Sequence, residues 1–180
     1  MKIREYSFKD EGGMHVNPLR LRSEWMSRED YEKAQAGTVI LCQDVFIEYD
    51  DGSGPGILLV NRRQHPAKNE MWPIGGRYAR GFHNEESLRK KVLGETGLNI
   101  HDIEPLGIAP TMFPYNEFGN GKGTHTVNIV YSAKAEEGQT LRLDHNHEQP
   151  KIVRREDYTS ELQDKLQSYV TDFMNLIIRP

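Results

Sequence analysis

The sequence predicts one α+β domain, or a three-layer α/β/α domain in which a sheet lies between helices. A chain of 180 residues can bury one sizeable core, and nothing in it requires a second. Strand-like and helix-like segments follow one another without regular alternation. This order favours an α+β or α/β/α domain over a doubly wound sheet, in which strands and helices alternate.

The start of the chain is predicted to form an arm and a first helix. Residues 1–26 contain irregular, polar stretches such as "EGG", and we predict an N-terminal arm that takes part in an interface. The domain itself is predicted over residues 27–180. Ser27 is followed three residues later by Asp30, an arrangement typical of a helix start, and this predicts a helix over residues 27–35.

A hairpin and a second helix are predicted next. The segment "GTVILCQDVFIEY" is rich in β-branched and aromatic residues, "DDGSGPG" has the composition of a turn, and "ILLVNRR" predicts the returning strand. A helix is then predicted from Asn84 to Thr96. We expect Asn84 to cap this helix and Gly97 to end it in a left-handed conformation. Leu88 and Val92 lie on one face and should pack against a sheet.

The second half predicts further strands and a closing helix. Strand-like composition recurs in "EPLGIAPTMF" and "THTVNIVYSAKA", and the polar loop "DHNHEQP" leads into a short strand. The segment "TSELQDKLQSYVTDFMNLI" is predicted as one helix because apolar residues recur in it at helical spacing. These residues are Leu162, Leu166, Val170, Phe173 and Leu176.

Composition limits the kind of protein this can be. A net charge of −4 offers no broad basic surface for nucleic acid. The single cysteine, Cys42, excludes an internal disulfide framework, and we see no apolar signal segment. The longest apolar runs, "ILLV" and "LII", are far shorter than the roughly 20 residues that span a bilayer. We therefore expect a soluble, cytoplasmic protein without a nucleic-acid or membrane partner.

The stretch "GGRYARGFHNEESLRKKVLGETGL", residues 75–98, has the frame of a metal-binding helix. Positions 91, 94 and 95 are neighbours on one helix face because they lie three and four residues apart. Carboxylates at all three would hold several Mg²⁺ ions, but the residues are Lys91, Gly94 and Glu95. Because Mg²⁺ typically needs only one or two carboxylates plus substrate phosphate oxygens, this helix is compatible with a single-metal site and excludes a multi-metal cage.

This order of strand, glycine pair, loop, capped helix and "ETGL" resembles the Nudix hydrolase family. The family signature is G-x5-E-x7-R-E-U-x-E-E-x-G-U, in which U is a bulky apolar residue. The matching positions are Gly76, Val92, Glu95, Gly97 and Leu98, and the departures are Phe82, Lys90, Lys91 and Gly94.

Among Nudix proteins the chain is most similar to the GDP-mannose mannosyl hydrolase branch, which also lacks most signature glutamates. The similarity runs from about Glu29 to Tyr158 and includes "EDY", "NRRQHPA", "GGR", "GETGL", "THTV" and "NHEQ". It implies a Nudix fold, a mixed β-sheet sandwiched between helices. It also implies Mg²⁺ as cofactor, a nucleoside diphosphate sugar as substrate and a homodimer.

The resemblance also implies roles for particular residues. The Gly75 carbonyl, the Glu95 carboxylate and the Asn146 amide oxygen would bind Mg²⁺. His147 would be the general base, a role that suits histidine because it titrates near neutrality.

Three basic residues correspond to arginines that hold the diphosphate in that branch. Arg62 and Arg77 match directly, and the planar guanidinium fork suits a diphosphate. Lys90 takes the third place with a single point charge. Other departures are Ile74 in place of a proline, Thr111 in place of a histidine, and Asn146 in place of glutamine.

Simpler interpretations of the same residues stay open. Glu95 could only pair with Lys91 across one helical turn. Arg62 and Arg77 could be surface charges. His147 could belong to a solvated loop, and Asp144, His145 and His147 could form a transition-metal site, although no cysteine or further spaced histidine supports one.

The function predicted from these residues is Mg²⁺-dependent hydrolysis of a nucleoside diphosphate sugar by attack of water on the anomeric carbon. Neutralised by metal and arginines, a nucleoside diphosphate becomes a good leaving group. One alternative is a Nudix diphosphatase that cleaves between the phosphates. The other is a catalytically silent Nudix module that binds a nucleotide sugar.

Overall fold

The computed structural model describes residues 3–9, 11–22 and 26–178. Parts of the predicted arm (residues 1, 2, 10 and 23–25) and the last two residues of the chain lie outside this description. The elements follow in chain order: a short 3-10 helix Pro18–Leu21, α1 Arg28–Gly37, β1 Ile40–Asp50, β2 Pro55–Arg62, β3 Met71–Trp72, β4 Ile74–Arg77, α2 Asn84–Thr96, β5 Ile100–Phe113, β6 Thr124–Ala135, β7 His147–Val153, α3 Ser160–Gln163 and α4 Ser168–Ile177.

The strands form one mixed sheet, which confirms the predicted fold class. The strand order is β3-β2-β1-β6-β5, while β4 pairs with β1 and β7 pairs with β2. Strand β1 runs parallel to β6, and the other pairs are antiparallel. The first half of β1 pairs with β4 and its second half with β2. The sheet therefore divides at β1, and the sequence motif of residues 75–98 begins at that division.

Two apolar clusters cover the two faces of the sheet. On one face Val45 and Ile47 of β1 join Leu88 and Val92 of α2. On the other face Phe46 of β1 joins residues of α4. Successive side chains of a strand point to opposite faces, so the apolar run of β1 supplies both clusters. Helices on both sides of a mixed sheet give the predicted α/β/α layers.

The start of α2 differs from the prediction that Asn84 caps it. The N-cap residue is His83, whose side chain makes no capping hydrogen bond. The backbone N–H of Asn84 donates instead to Glu5 Oε1 at 2.5 Å. The Asn84 side chain is buried and accepts hydrogen bonds from Gln43 and Tyr131. The far end of α2 follows the prediction, because Gly97 has φ +71°.

The closing helix is also different from the prediction. The structure has two helices, α3 and α4, in place of one. The chain turns at Asp164–Gln167, and the break allows Tyr169 to stack on Trp72 with ring centroids 4.8 Å apart. Val170 and Met174 are buried in the second cluster, whereas Leu176 is exposed. No helix among the described residues is long and apolar enough to cross a membrane.

Candidate active site

A cleft of about 340 Å³ opens where β1 changes partner from β4 to β2. Its walls include residues of α1, β1, β2, β4, α2, β6 and β7 and the loop before β7. Six residues singled out from the sequence line this cleft: Arg62, Gly75, Arg77, Glu95, Asn146 and His147. The structure therefore brings together groups that lie up to 85 residues apart in the chain, between Arg62 and His147.

Lys90, the seventh of these residues, lies outside the cleft. It borders a separate surface depression with Leu93 and Asn99, and its Nζ lies 5.0 Å from the centre of the Phe82 ring. Consecutive residues of a helix point about 100° apart, since a turn takes 3.6 residues. The neighbouring Lys91 consequently faces the cleft, and it is Lys91, not Lys90, that supplies a basic side chain from α2 to the cleft lining.

The glycine pair lets two strands approach closely at the floor of the cleft. Gly75 of β4 lies opposite Asp44 of β1. A Cβ at Gly75 would stand 2.0 Å from Asp44 Oδ1 and 2.5 Å from the Gln43 carbonyl oxygen, closer than atoms can pack. Glycine is therefore required here, and at this residue β4 lines the cleft with its backbone alone.

Glu95 is a buried carboxylate with one oxygen left without a protein partner. Lys91 Nζ lies 3.6 Å from Glu95 Oε1, so the helical pair considered as an alternative does form. Glu95 Oε2 is buried and has no hydrogen-bond partner among the described residues. Burial raises the pKa of Glu95 to about 7, although Lys91 and Arg62 lower it in part. A cation at Oε2 would satisfy this oxygen.

His147 is held in place by Asp144. His147 Nδ1 lies 2.7 Å from Asp144 Oδ1, and the histidine is buried. Burial raises the pKa of Asp144, but hydrogen bonds from His147 and Asn146 outweigh this and lower it below its ordinary value. The ionised carboxylate only accepts, so Nδ1 carries the proton and Nε2 keeps a lone pair.

The protonation state of His147 suits a base. Burial lowers the pKa of His147 from its ordinary 6.5, and the hydrogen bond to Asp144 offsets only part of this effect. The imidazole is therefore mainly neutral at neutral pH. A buried, oriented and neutral histidine is the arrangement that a general base requires.

Backbone contacts attach the segment that carries Asp144 and His147 to α2 and β2. The Asp144 N–H donates to the Glu95 carbonyl at 2.9 Å, which satisfies one of the carbonyls left open at the end of a helix. Arg62 lies directly opposite His147 in the β2–β7 pair. Because of these contacts, Glu95, His147 and Arg62 approach one another on three different elements.

The second arginine is oriented by an aromatic ring. Arg77 Cζ lies 3.8 Å from the centre of the Tyr31 ring, a cation–π contact between β4 and α1. The Tyr31 ring in turn makes an edge-to-face contact with the Phe118 ring, and the two ring centroids lie 5.6 Å apart. Arg77 therefore has a supported position on the wall of the cleft.

Asp44 is a cleft residue that sequence reasoning missed. Its Oδ2 accepts hydrogen bonds from Tyr169 at 2.6 Å and from Asn128 at 2.9 Å. Burial raises the pKa of Asp44 to about 6, although these two hydrogen bonds lower it in part. The signal was a charged residue in the apolar strand "ILCQDVFIEY", where burial of an acid needs a reason.

Cys42 also lines the cleft. Burial raises the pKa of its thiol to about 12, so the reactive thiolate is absent at neutral pH.

The residues that the resemblance implies as metal ligands carry oxygen atoms suited to a divalent cation. No cluster of three or more histidine, cysteine, aspartate or glutamate side chains that could hold a metal is found in the described ranges. An oxygen set is present instead: the orphaned Glu95 oxygen, the Gly75 carbonyl and the Asn146 amide oxygen. The Asn146 amide nitrogen donates to Asp144, which leaves its oxygen for a metal. Mg²⁺ prefers oxygen ligands and accepts so few protein ligands when substrate oxygens complete its shell.

Comparisons with known proteins agree with this architecture. A family model described as the NUDIX domain matches residues 42–173. No curated protein sequence matches the chain.

Solved structures with the same fold share little sequence with it. The NUDIX domain of Shewanella oneidensis NrtR, complexed with ADP ribose, is 17% identical, with 86% of this chain and 99% of that chain covered and a TM-score of 0.59. A MutT NUDIX hydrolase from Burkholderia pseudomallei is 20% identical, with coverages of 77% and 97% and a TM-score of 0.57.

A third structure, described as a possible asymmetric diadenosine tetraphosphate hydrolase from Jonesia denitrificans, is 12% identical, with coverages of 79% and 96% and a TM-score of 0.57. At such identities the likeness establishes the fold alone. The family model covers well over half of the chain, and the chain therefore belongs to the Nudix family of hydrolases.

Proposed function

We propose that the chain hydrolyses a nucleoside diphosphate sugar of the GDP-mannose type in the presence of Mg²⁺. Water attacks the anomeric carbon of the sugar and displaces the nucleoside diphosphate, so the products are free sugar and nucleoside diphosphate. The observation that carries the proposal is the Asp144–His147 pair, buried in a cleft that also holds Arg62 and Glu95.

The base step follows from the orientation of His147. With Nδ1–H donating to Asp144, the Nε2 lone pair accepts a proton from water as the water oxygen bonds to carbon. The bond from the anomeric carbon to the diphosphate oxygen breaks in the same step, and that oxygen leaves with the electron pair. The Asp144 carboxylate then stabilises the imidazolium of His147, because Asp144 Oδ1 lies 2.7 Å from His147 Nδ1.

Departure of the diphosphate requires positive charge on the opposite side of the reacting carbon. Arg62 and Arg77 both line the cleft, and each offers paired N–H donors that match phosphate oxygens. Bound at the Glu95, Gly75 and Asn146 oxygens, Mg²⁺ would add charge that neutralises the leaving group. None of these groups needs to direct water to phosphorus.

A protein of the same fold binds a ligand of the proposed class. The Nudix domain of Shewanella oneidensis NrtR is complexed with ADP ribose, which is itself a nucleoside diphosphate joined to a sugar. That domain shares the fold of this chain at 17% identity, and its ligand belongs to the class proposed here.

Hydrolysis in ¹⁸O-water tests the proposal. Nucleotide sugars are screened with Mg²⁺, and products are identified by mass spectrometry. Labelled sugar with unlabelled nucleoside diphosphate, and inversion at the anomeric carbon, are expected from a single displacement. Label in a phosphate product would establish the diphosphatase alternative. Binding of a nucleotide sugar without turnover would establish the silent module.

We also propose that two copies of the chain associate through the N-terminal arm. Several apolar side chains of the arm are exposed in the single chain, among them Tyr6, Phe8, Met14 and Leu19. Glu5 and Arg22 hold the arm to its own domain through His83 and Glu86. Light scattering at micromolar concentration should report a dimer that dissociates when Tyr6 and Phe8 are both changed to serine. A monomeric wild-type chain would refute this assembly.

A further inference from the structure

We propose that Lys91 binds the diphosphate of the substrate directly and that the cleft therefore holds a diphosphate without a divalent metal ion. The nature of the ligand rests on the proposed function, in which a nucleoside diphosphate is the leaving group. The role of Lys91 is a matter of binding, and it can be tested independently of which bond is cleaved.

The position of Lys91 places its charge inside the cleft. Its side chain extends from α2 across to β4, where Nζ would lie 3.2 Å from a Cβ at Gly76. Only 23% of the side chain is exposed, so its methylene stem is enclosed by protein. An ammonium group held in this way loses less freedom on binding an anion than a lysine on the surface does.

The ammonium group has hydrogen-bonding capacity left for a ligand. It carries three N–H donors. Its 3.6 Å separation from Glu95 Oε1 exceeds the roughly 2.7–2.9 Å of a direct hydrogen bond between these charged groups. Glu95 therefore attracts Lys91 without saturating it, and a phosphate oxygen in the cleft can take a donor that Glu95 does not.

Lys91 is the third basic side chain, with Arg62 and Arg77, that lines the cleft. Arg62 stands at the end of β2, Arg77 on β4 and Lys91 on α2, so the three charges come from different walls. A diphosphate between them would meet positive charge on several sides. Two forks and one point charge can contact both phosphate groups of a single ligand.

A purely structural role predicts a different behaviour. If Lys91 only neutralised Glu95, then removing either member of the pair would chiefly change stability. If Lys91 binds the diphosphate, the two members act in opposite directions. Loss of the ammonium removes an attraction for the anion, whereas loss of the carboxylate removes both a repulsion and a competitor for the ammonium.

Isothermal titration calorimetry of the 180-residue chain with inorganic pyrophosphate, in EDTA at mildly alkaline pH, separates these roles. The variants are Lys91→Met, Lys91→Arg and Glu95→Gln. Lys90→Met is the matched control, since it removes the same charge from the next residue of α2, outside the cleft. Thermal unfolding of each variant shows whether it is folded.

The wild-type chain should bind pyrophosphate in EDTA, and Lys91→Met should weaken this binding by about 10- to 100-fold, the value of one charged hydrogen bond. Lys91→Arg should retain most of the affinity, Lys90→Met all of it, and Glu95→Gln should increase it. Equal affinities of wild type and folded Lys91→Met would overturn the inference, as would a wild-type chain that binds no pyrophosphate without metal. Neither result bears on the position of the ¹⁸O label, which decides the proposed function separately.

Discussion

Glu95→Gln should change how the stability of the protein depends on pH. Glu95 is largely buried, and burial raises its pKa from the ordinary 4.5 to about 7, although Lys91 and Arg62 lower it in part. The folded state therefore binds the proton more tightly than the unfolded state. Stability from the protonated acid is fully present below pH 4.5 and is lost as the pH rises through about 7.

The size of the effect follows from the two pKa values. A difference of one pKa unit is worth about 1.4 kcal/mol, so the rise from 4.5 to about 7 corresponds to about 3 kcal/mol. Glutamine has nearly the same shape and does not titrate. The free energy of unfolding of Glu95→Gln relative to wild type should therefore increase by about 3 kcal/mol between acidic and mildly alkaline pH. Asp44 also titrates in this range, but it is present in both proteins and cancels from the difference.

Urea denaturation in EDTA at a series of pH values measures this difference. Glu85→Gln is the control, because Glu85 lies on the same helix and is exposed. Addition of Mg²⁺ at alkaline pH should stabilise the wild-type chain, since a ligand that binds only the folded state raises its stability, and should stabilise Glu95→Gln much less. A difference between wild type and Glu95→Gln that stays constant with pH would refute the reasoning, because it would mean that Glu95 ionises as an exposed acid does.

Two further predictions concern contacts that orient the active site. Asp144→Asn should lower kcat by roughly 100-fold, which is within the range assigned to general-base catalysis. It should also move the acid limb of the pH profile of kcat/KM to lower pH, because Asp144 raises the pKa of His147. His145→Gln is the control, and an unchanged pH profile for Asp144→Asn would contradict the role of Asp144. Glu5→Ala should lower the free energy of unfolding by about 1 kcal/mol, the usual value of a helix cap, because Glu5 accepts a hydrogen bond from the Asn84 N–H. Equal stability of Glu5→Ala and wild type in urea denaturation would show that the arm does not cap α2.

The sequence allowed prediction of the parts of the site that depend on local order. Gly75 and Glu95 lie within one continuous motif, and a strand followed by a helix fixes their separation. Asn146 and His147 were identified by their similarity to a family. Lys90 and Lys91 are adjacent in the chain, and the resemblance to the family alone did not show that Lys91 is the one that faces the cleft.

Long-range contacts could not be predicted in the same way. The bond from the Asn84 N–H to Glu5 joins residues 79 apart, and neither position carries a local signal for the other. Tyr169 reaches Asp44 across 125 residues. The predicted single closing helix failed for this reason: local apolar spacing favoured continuity, but the contacts of Tyr169 with Trp72 and Asp44 accompany a turn before α4.

The charge of the α2 face connects these observations to mechanism. Three carboxylates at positions 91, 94 and 95 would give this face about −3 charges, which only several metal ions could neutralise. The charges of Lys91 and an ionised Glu95 instead sum to zero, and Gly94 adds no charge. Such a face has no need of a metal cluster and does not repel an anion strongly. Attack on carbon needs only that the departing diphosphate be neutralised, and the two arginines, Lys91 and one Mg²⁺ would supply enough charge for that.

A Mn²⁺ titration followed by electron paramagnetic resonance should accordingly find one ion per chain in wild type. Two or more ions per chain would show that carboxylates outside α2 restore a cluster, and the argument for attack on carbon would lose its electrostatic basis.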